Sequence, residues 1–286
     1  RQENVRSCRA PDTGLERLHI AGGQDADLRQ FPFIVQVTAN GARCGGSLIQ
    51  KGFVLTAAHC VMPPPGSPRC RPAGPGRCAA AAPEAVFATR PTATGRADGA
   101  TRRARRVFVH PDFHYGIDGE TAGSLDADVA ILLLDAEFDV GPEALIDIAD
   151  PFIDQGVATG GECARVAGWG LTDVLNDRLE TIQSGRRTER LQALNLALVD
   201  QHRCVGRYPG LVTDNMVCAG DGIEGFNTCK GDSGGPLILD VGKPIQVGVV
   251  SWAFGCAQAE HFTVFARVGA AEVRGWINDV MAGRGE

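Results

Sequence analysis

The sequence predicts an all-β protein that ends in a single α-helix. Short apolar runs separated by turn-forming residues are typical of strands, and they cover residues 33–37, 47–55, 129–134, 194–199, 236–239, 245–252 and 263–268. Over residues 270–281 the apolar side chains recur instead at helical spacing and line one face. A chain of 286 residues is long enough for one large β domain or for two small barrels.

Composition and charge argue against several classes of protein. No apolar run is long enough to cross a membrane, so we expect no membrane span. The net charge of −6 gives no reason to expect nucleic acid as a partner. The one basic cluster, residues 102–106, is interpreted as a solvated loop or strand edge rather than a binding patch. Residues 61–101 are rich in Pro, Ala, Gly and Arg and predict a long surface insertion.

The most informative stretch is residues 228–236, Thr-Cys-Lys-Gly-Asp-Ser-Gly-Gly-Pro, which places a serine in a glycine-rich loop. A serine hydroxyl is unreactive at neutral pH unless a base takes its proton and donors hold the oxyanion that forms on the attacked carbonyl. Ser233 is therefore the candidate nucleophile. The backbone N–H groups of Gly231 and Ser233 are the candidate oxyanion hole, because Gly231 can adopt a conformation closed to residues with a Cβ.

A candidate base and a carboxylate to orient it lie far upstream. One apolar run ends at His59, which small residues flank, and we take His59 as the general base. Asp126 and Asp128 both precede another apolar run. We choose Asp128 because it touches that run, where a buried carboxylate is useful only if it is paired with an imidazole N–H.

The order His59, Asp128, Ser233 resembles the catalytic triad of the trypsin and chymotrypsin family of serine proteases. Because other triad enzymes run Ser, Asp, His or Asp, His, Ser along the chain, the order argues against the α/β-hydrolase and subtilisin plans. The resemblance covers about residues 20–280, with further matches at residues 44–49, 167–170, 215–220 and 250–252. It implies two six-stranded antiparallel β-barrels with the triad between them, the first over about residues 20–145 and the second over about 158–268, followed by the helix at about 270–281.

The resemblance also implies an activity. The chain is expected to be an endopeptidase that hydrolyses protein or peptide substrates through an acyl-enzyme on Ser233. Two hypotheses of another class remain open. One is a non-catalytic, protease-like binding module, although no triad residue is missing; the other is a scaffold protein held permanently in the zymogen form.

We expect neither a metal nor a cofactor. The family's calcium loop falls within residues 61–101, where only Glu84 and Asp98 are acidic. His110 and His114 could suggest a metal, but Pro111 breaks the helix that their spacing needs. The expected partners besides substrates are an activating protease and protein inhibitors, and the protein is expected to be a monomer.

Ten cysteines point to an oxidising compartment, so we expect a protein secreted to the extracellular space or the periplasm. Cys70 and Cys78 bracket a turn-rich loop and most simply pair with each other. Once this pair and the three pairs that the resemblance implies are assigned, Cys8 and Cys163 remain. In many family members the counterpart of Cys163 pairs with a cysteine at the position that Leu239 occupies here, so we predict that Cys163 pairs with Cys8 instead. The resemblance implies three further pairs: Cys44–Cys60, Cys204–Cys218 and Cys229–Cys256.

Residues 20–23, Ile-Ala-Gly-Gly, resemble the start of the mature enzymes of this family. Cleavage before Ile20 would make residues 1–19 a propeptide and would let the new ammonium group pair with Asp232, as in the family. The intact chain would then be a zymogen whose oxyanion loop orders on cleavage. The other interpretation is that residues 1–19 are an ordinary N-terminal extension.

The residue before the expected cleavage point departs from the family pattern. His19 stands where the family usually has arginine or lysine, so self-activation of the trypsin kind is not expected. Either a protease that accepts histidine cuts directly, or one cuts after Arg17 and a dipeptidase removes Leu18 and His19.

The resemblance implies an uncharged primary specificity pocket. Asn227 forms its floor, where an aspartate would select arginine and lysine, and Ala253 and Thr263 replace glycines in its walls. Since an uncharged floor offers a cation no charge-assisted bond, we predict little Arg or Lys selectivity and a preference for medium polar or aromatic side chains, histidine included.

The other implied substrate-binding residues are Thr228, Lys230, Ser251 and Trp252. Residues 251–253 predict an edge strand that pairs with an extended peptide, and Ser251 is expected to support Asp128. Trp252 could instead be plain core filling. Lys230 could favour acidic residues beyond the cleaved bond or could simply be solvated.

Overall fold

The computed structural model describes residues 8, 24–74, 77–115, 125–170, 189–220, 232–254 and 261–285. Within these residues the chain forms two closed antiparallel β-barrels of six strands each, as the sequence predicted. A helix at the C-terminal end follows the second barrel.

The N-terminal half builds the first barrel. The strands of this half are β1 (Gln24–Asp25), β2 (Ile34–Ala39), β3 (Ala42–Gln50), β4 (Phe53–Thr56), β5 (Pro72–Gly74), β6 (Arg77–Cys78), β7 (Val86–Thr89), β8 (Thr101–Val109) and β9 (Ala130–Leu134), and six of them form the barrel. The barrel closes in the order β2-β3-β4-β9-β8-β7, and β7 pairs back with β2. A one-turn helix, α1 (Ala58–Val61), follows β4, while β5 and β6 form a separate hairpin.

The C-terminal half builds the second barrel. The strands of this half are β10 (Asp147–Ile148), β11 (Cys163–Gly168), β12 (Gln192–Val199), β13 (Met216–Ala219), β14 (Pro236–Asp240), β15 (Pro244–Trp252) and β16 (Thr263–Arg267), and its helices are α2 (Pro151–Thr159), α3 (Gln201–Arg207) and α4 (Ala271–Met281). The order β12-β11-β14-β15-β16-β13 closes through the pairing of β12 with β13. The strand β10 adds to β15 in parallel.

Buried apolar side chains fill each barrel and account for its stability. The second barrel has its own cluster, which includes Val166, Leu196, Leu237 and Phe265. The predicted apolar face of α4 is buried at Val273, Ile277 and Val280. These three side chains join the cluster that fills the first barrel, so α4 packs against the opposite half of the molecule.

The two barrels approach closely at glycines. A Cβ on Gly45 of β3 would lie 2.9 Å from the Cα of Gly235, so no larger residue fits there without displacing backbone. The hydroxyl of Ser47 donates a buried hydrogen bond to Gln246 Oε1 at 2.6 Å across the same interface. The strand β1 lies in the range predicted for the first barrel, yet it pairs with β12 of the second.

Several elements differ from the sequence prediction. Residues 47–55 are not one strand but parts of β3 and β4, joined by a turn at Lys51 and Gly52. The predicted insertion over residues 61–101 contains β7, a barrel strand in which Val86 and Ala88 are fully buried. The helices α2 and α3 are too short to give a clear helical period.

The basic cluster at residues 102–106 is neither a loop nor a strand edge. It lies in β8, which pairs with β7 on one side and β9 on the other. Ala104 points into the barrel, and an irregularity in the pairing after it lets Arg105 and Arg106 both face solvent. The arginines are therefore the solvated face of a half-buried strand.

Four disulfides join described residues: Cys8–Cys163, Cys44–Cys60, Cys70–Cys78 and Cys204–Cys218. All four pairings are those that the sequence predicted. The fifth predicted pair, Cys229–Cys256, lies outside the described residues. None of the described helices is long and apolar enough to cross a membrane.

Candidate active site

His59 lies where the first barrel gives way to a single helical turn. The strand β4 ends at Thr56, and two fully buried alanines, Ala57 and Ala58, let the chain turn tightly into α1. The disulfide between Cys44 and Cys60 fixes this turn to β3. The imidazole is consequently held at the edge of the barrel, with 20% of its side-chain surface exposed.

Asp128 lies two residues before β9 and is fully buried. Its Oδ1 accepts the backbone N–H of His59 at 2.9 Å, and its Oδ2 lies 2.7 Å from His59 Nδ1. Ser251 Oγ of the second barrel donates to Oδ2 at 2.6 Å. Because an ionised carboxylate only accepts hydrogen bonds, Nδ1 carries the imidazole proton and Nε2 is left as the basic nitrogen.

The charge of Asp128 also shifts the protonation of His59. Burial of the imidazole lowers its pKa, but the negative charge and the hydrogen bond of Asp128 outweigh burial, so the pKa of His59 lies above its ordinary value of 6.5. The pair thus favours a proton on the ring. An imidazole held in this way can take a proton from a hydroxyl and return it later.

Ser233 is placed by the backbone of its own loop. Its carbonyl accepts the N–H of Gly45 at 2.7 Å, and the next residue, Gly234, donates its N–H to Val250 at 2.8 Å. Gly234 has φ +80°, and a Cβ there would lie 2.4 Å from Thr56 Oγ1. The loop is therefore wedged between the end of β4, which leads to His59, and β15, which carries Ser251.

The residue after Ser233, Gly234, packs against Thr56 and Ala57, which precede His59. This packing brings Ser233 and His59 near each other. Within the described part of the chain, no hydrogen bond joins Ser233 Oγ to the imidazole of His59. Such bonds are often long or misaligned when no substrate is bound.

Asp232, directly before the candidate nucleophile, is fully buried. Its Oδ1 accepts the backbone N–H of Gly170 at 2.9 Å. A Cβ on Gly168 or Gly170 would lie within 2.4 Å of a carboxylate oxygen of Asp232, so both positions need glycine. A buried carboxylate requires a compensating donor or cation, and the N–H of Gly170 is one such donor.

An aromatic cluster borders the position predicted for the substrate. The Trp252 ring lies 5.3 Å from that of Tyr208 and 5.5 Å from that of Phe254, and His261 stacks on Tyr208 at 6.4 Å. The Tyr208 hydroxyl donates to the carbonyl of Phe262 and accepts its N–H. Trp252 is 7% exposed, so it packs as part of this cluster as well as adjoining the site.

Tyr208 and Phe254 were not predicted from the sequence. Their signal was weak, because a lone aromatic after a short helix and another beyond a strand end show no periodicity.

Thr263, predicted for the pocket wall, is fully buried in β16. Among the described strands, β15 pairs with β16 beyond Val249 but no longer with β14.

Of the remaining predicted residues, Ala253 is described and lies half-buried just after β15. The others lie outside the described part of the chain. They comprise the oxyanion donor Gly231, the pocket residues Asn227, Thr228 and Lys230, and the activation residues His19 and Ile20.

Cys44, His59 and Cys60 bring three ligand atoms within 4.8 Å of one another. Both sulfurs are joined in a disulfide and offer no thiolate, so these residues do not suit a metal ion.

Comparison with known proteins identifies the family. A family model described as Trypsin matches residues 20–277. The chain is 29% identical over 266 residues to Trypsin of Squalus acanthias, covering 92% of this chain and 96% of that protein. It is 34% identical over 265 residues to Trypsin 5G1 of Aedes aegypti (91% and 84% covered) and 31% identical over 280 residues to Tryptase of Mus musculus (91% and 88%). The chain therefore belongs to the trypsin and chymotrypsin family of serine proteases and is a serine endopeptidase.

Proposed function

We propose that His59, Asp128 and Ser233 form the catalytic triad of this endopeptidase. The observation that carries the proposal is the partly buried hydrogen bond between Asp128 Oδ2 and His59 Nδ1, at 2.7 Å, which leaves Nε2 as the base on the imidazole. The bond from Ser251 at 2.6 Å supports the same carboxylate from the other barrel. All three triad members lie where the two barrels meet.

The mechanism follows from these protonation states. Ser233 Oγ attacks the carbonyl carbon of the substrate while His59 Nε2 takes its proton, and Asp128 remains ionised and stabilises the imidazolium. The N–H groups of Gly231 and Ser233 hold the oxyanion. His59 then gives the proton to the leaving amine, and water repeats the sequence to release the acid and restore Ser233.

Residues 1–19 are proposed to be a propeptide that keeps the enzyme inactive. Cleavage before Ile20 creates an ammonium group, and the buried carboxylate of Asp232, directly before Ser233, is its proposed partner. The ion pair between this ammonium group and Asp232 orders the oxyanion loop after cleavage. The Cys8–Cys163 disulfide keeps the cut segment attached to the second barrel.

The enzyme is proposed to be secreted and to act on protein or peptide substrates after an activating protease has cut it. Four disulfides among the described residues support an oxidising compartment. The pocket is proposed to be uncharged, with Asn227 as its floor and the fully buried Thr263 narrowing one wall. A strong preference for arginine in a substrate library would contradict this specificity.

The experiment that tests the triad and the zymogen together is mass spectrometry of the protein treated with a serine-reactive fluorophosphonate. The protein is labelled before and after limited proteolysis, and the new N-terminus is read in the same run. We expect Ser233 to be labelled only after a cut that exposes Ile20, and Ser233→Ala to remain unlabelled.

Other outcomes separate the parts of the proposal. Labelling of the uncut chain would show that the loop forms without the new ammonium group. Activity with Leu18 at the N-terminus would contradict insertion of Ile20. No labelling of either form would favour the non-catalytic alternatives and would contradict the proposed triad.

A further inference from the structure

Asp126, the other acidic residue that precedes β9, makes side-chain hydrogen bonds of its own. Asp126 Oδ1 accepts the hydroxyl of Thr213 at 2.5 Å, and Asp126 Oδ2 lies 3.4 Å from Asn215 Nδ2. Thr213 and Asn215 lie just before β13 of the second barrel. Asp126 therefore ties the segment that carries Asp128 to the opposite half of the molecule.

The two residues of the second barrel are themselves held in place. The Thr213 carbonyl accepts from Gln201 Nε2 of α3 at 3.1 Å and from the N–H of Met216 at 3.1 Å. The carbonyl of Asn215 accepts the N–H of Arg267 at 2.8 Å. Asp126 is thus hydrogen-bonded to a turn that is itself held by other hydrogen bonds. The turn can therefore fix the position of Asp126 and of the residues that follow it.

The residue between the two aspartates adopts a backbone conformation that its type disfavours. Ala127 is fully buried and has φ +46°, in the left-handed region where a Cβ crowds the backbone. Its carbonyl accepts the N–H of Val129 at 2.7 Å, so a tight turn centres on Asp128. An alanine stays in this conformation only when the surrounding contacts impose it.

We propose that Asp126 is a positioning residue of the protease: its bonds to Thr213 and Asn215 hold Ala127 left-handed and so aim the Asp128 carboxylate at His59. The inference rests on the proposed role of Asp128. Asp126 does not touch the substrate or the imidazole; it acts through the backbone of the two residues that follow it.

The first test measures Asp126→Ala in the full-length protein after activating cleavage, with kcat expressed per site titrated by the fluorophosphonate. We expect kcat to fall about 10- to 100-fold, because a small displacement of a catalytic group has an effect of this size. KM should change less than about twofold, since binding contacts remain. The acid limb of the pH profile should move to lower pH, because a displaced Asp128 raises the pKa of His59 less.

Thr213→Val changes only the second barrel and removes the shorter of the two bonds. It should lower kcat in the same direction by a smaller factor, about 5-fold. It also provides a measurement if Asp126→Ala folds poorly.

The second test is a rescue. Glycine adopts the left-handed conformation without a Cβ penalty, so Ala127→Gly alone should leave kcat within about twofold. In the Asp126→Ala background, Ala127→Gly should restore part of the lost kcat, at least about threefold, because the turn no longer needs an external contact to hold it.

Asp150→Ala is the matched control, because Asp150 also accepts two hydrogen bonds, from the N–H groups of Phe152 and Ile153, but it is the exposed N-cap residue of α2. It should lower thermal stability without moving kcat or the acid limb. If Asp126→Ala behaves like this control, the positioning role is wrong. If Asp128→Asn also retains full kcat, the proposed triad itself fails, and the two failures are thus distinguished.

Discussion

The two barrels have the same number of strands but hold their parts of the proposed active site by different means. The first barrel supplies His59 and Asp128, whose side chains are fixed by side-chain hydrogen bonds and a disulfide. The second supplies Ser233 on a loop fixed by backbone hydrogen bonds and by glycines that fit against β3 and β4. The acid–base half therefore depends on which side chains are present, and the nucleophile half on which side chains are absent.

The largest expected effect comes from removing the charge on the acid–base half. Asp128→Asn keeps the shape of the side chain but favours the wrong imidazole tautomer, and kcat should fall about 10⁴-fold. In the natural sequence, the acid limb of kcat/KM should lie above pH 6.5, because Asp128 raises the pKa of His59 and the base must be neutral. In Asp128→Asn the residual activity should extend to lower pH.

These values are read from pH profiles of the active enzyme, normalised to titrated sites. An unchanged kcat would contradict the assignment of Asp128. An unchanged acid limb would show that another group controls the base.

On the nucleophile half, a single added methyl group should disrupt the loop. Gly234→Ala places a Cβ 2.4 Å from Thr56 Oγ1 and 2.6 Å from the carbonyl oxygen of Gly45, at φ +80°. We expect the free energy of unfolding to fall by about 3 kcal/mol and labelling of Ser233 to slow. Denaturant unfolding and the labelling rate measure the two effects.

Gly242 provides the matched control for this substitution. It has φ +93°, but a Cβ there would meet nothing within 4 Å. Gly242→Ala should therefore cost only the backbone strain, about 1 kcal/mol, and should leave labelling unchanged. Equal losses in the two variants would mean that the contact with β3 and β4 does not hold the loop.

The smallest expected effect concerns the bond that joins the two halves. Ser251→Ala removes the 2.6 Å hydrogen bond to Asp128 Oδ2, and kcat/KM should fall about 10-fold, the weight of a hydrogen bond to a charged group. The carboxylate then acts more strongly on His59, so the acid limb should move to slightly higher pH. This shift is opposite to that in Asp128→Asn, and a pH profile of each variant separates them.

The extent to which the sequence predicted the structure follows the same division. His59 and Asp128 could be proposed as site residues because each ends or precedes a continuous apolar run, and Ser233 because glycines surround it. Their joint role as a triad stays a prediction. The strand β7 was missed because its four residues lie in a stretch rich in proline, alanine and arginine, where only barrel closure gives them a partner. Residues 47–55 look like one strand because the turn at Lys51 and Gly52 interrupts the apolar run too briefly.

The left-handed backbone at Ala127 could not have been predicted locally. Alanine prefers the right-handed helical region, and nothing in the neighbouring sequence opposes that preference. The conformation is imposed by the hydrogen bonds that the preceding residue, Asp126, makes with Thr213 and Asn215. These two residues lie more than 80 residues away along the chain. For the same reason, the role of Asp126 becomes visible only when the two barrels are brought together.

The short strand β1 affects the rate of the proposed activation step. Gln24 and Asp25 pair with β12, and Gln192 Nε2 donates to Asp25 Oδ1 at 2.7 Å, so the chain is anchored to the second barrel four residues after Ile20. Four residues reach at most about 14 Å, and a group on so short a tether has an effective concentration on the order of millimolar or higher. Insertion of the new N-terminus is then a search within one molecule, and its rate does not depend on how dilute the enzyme is.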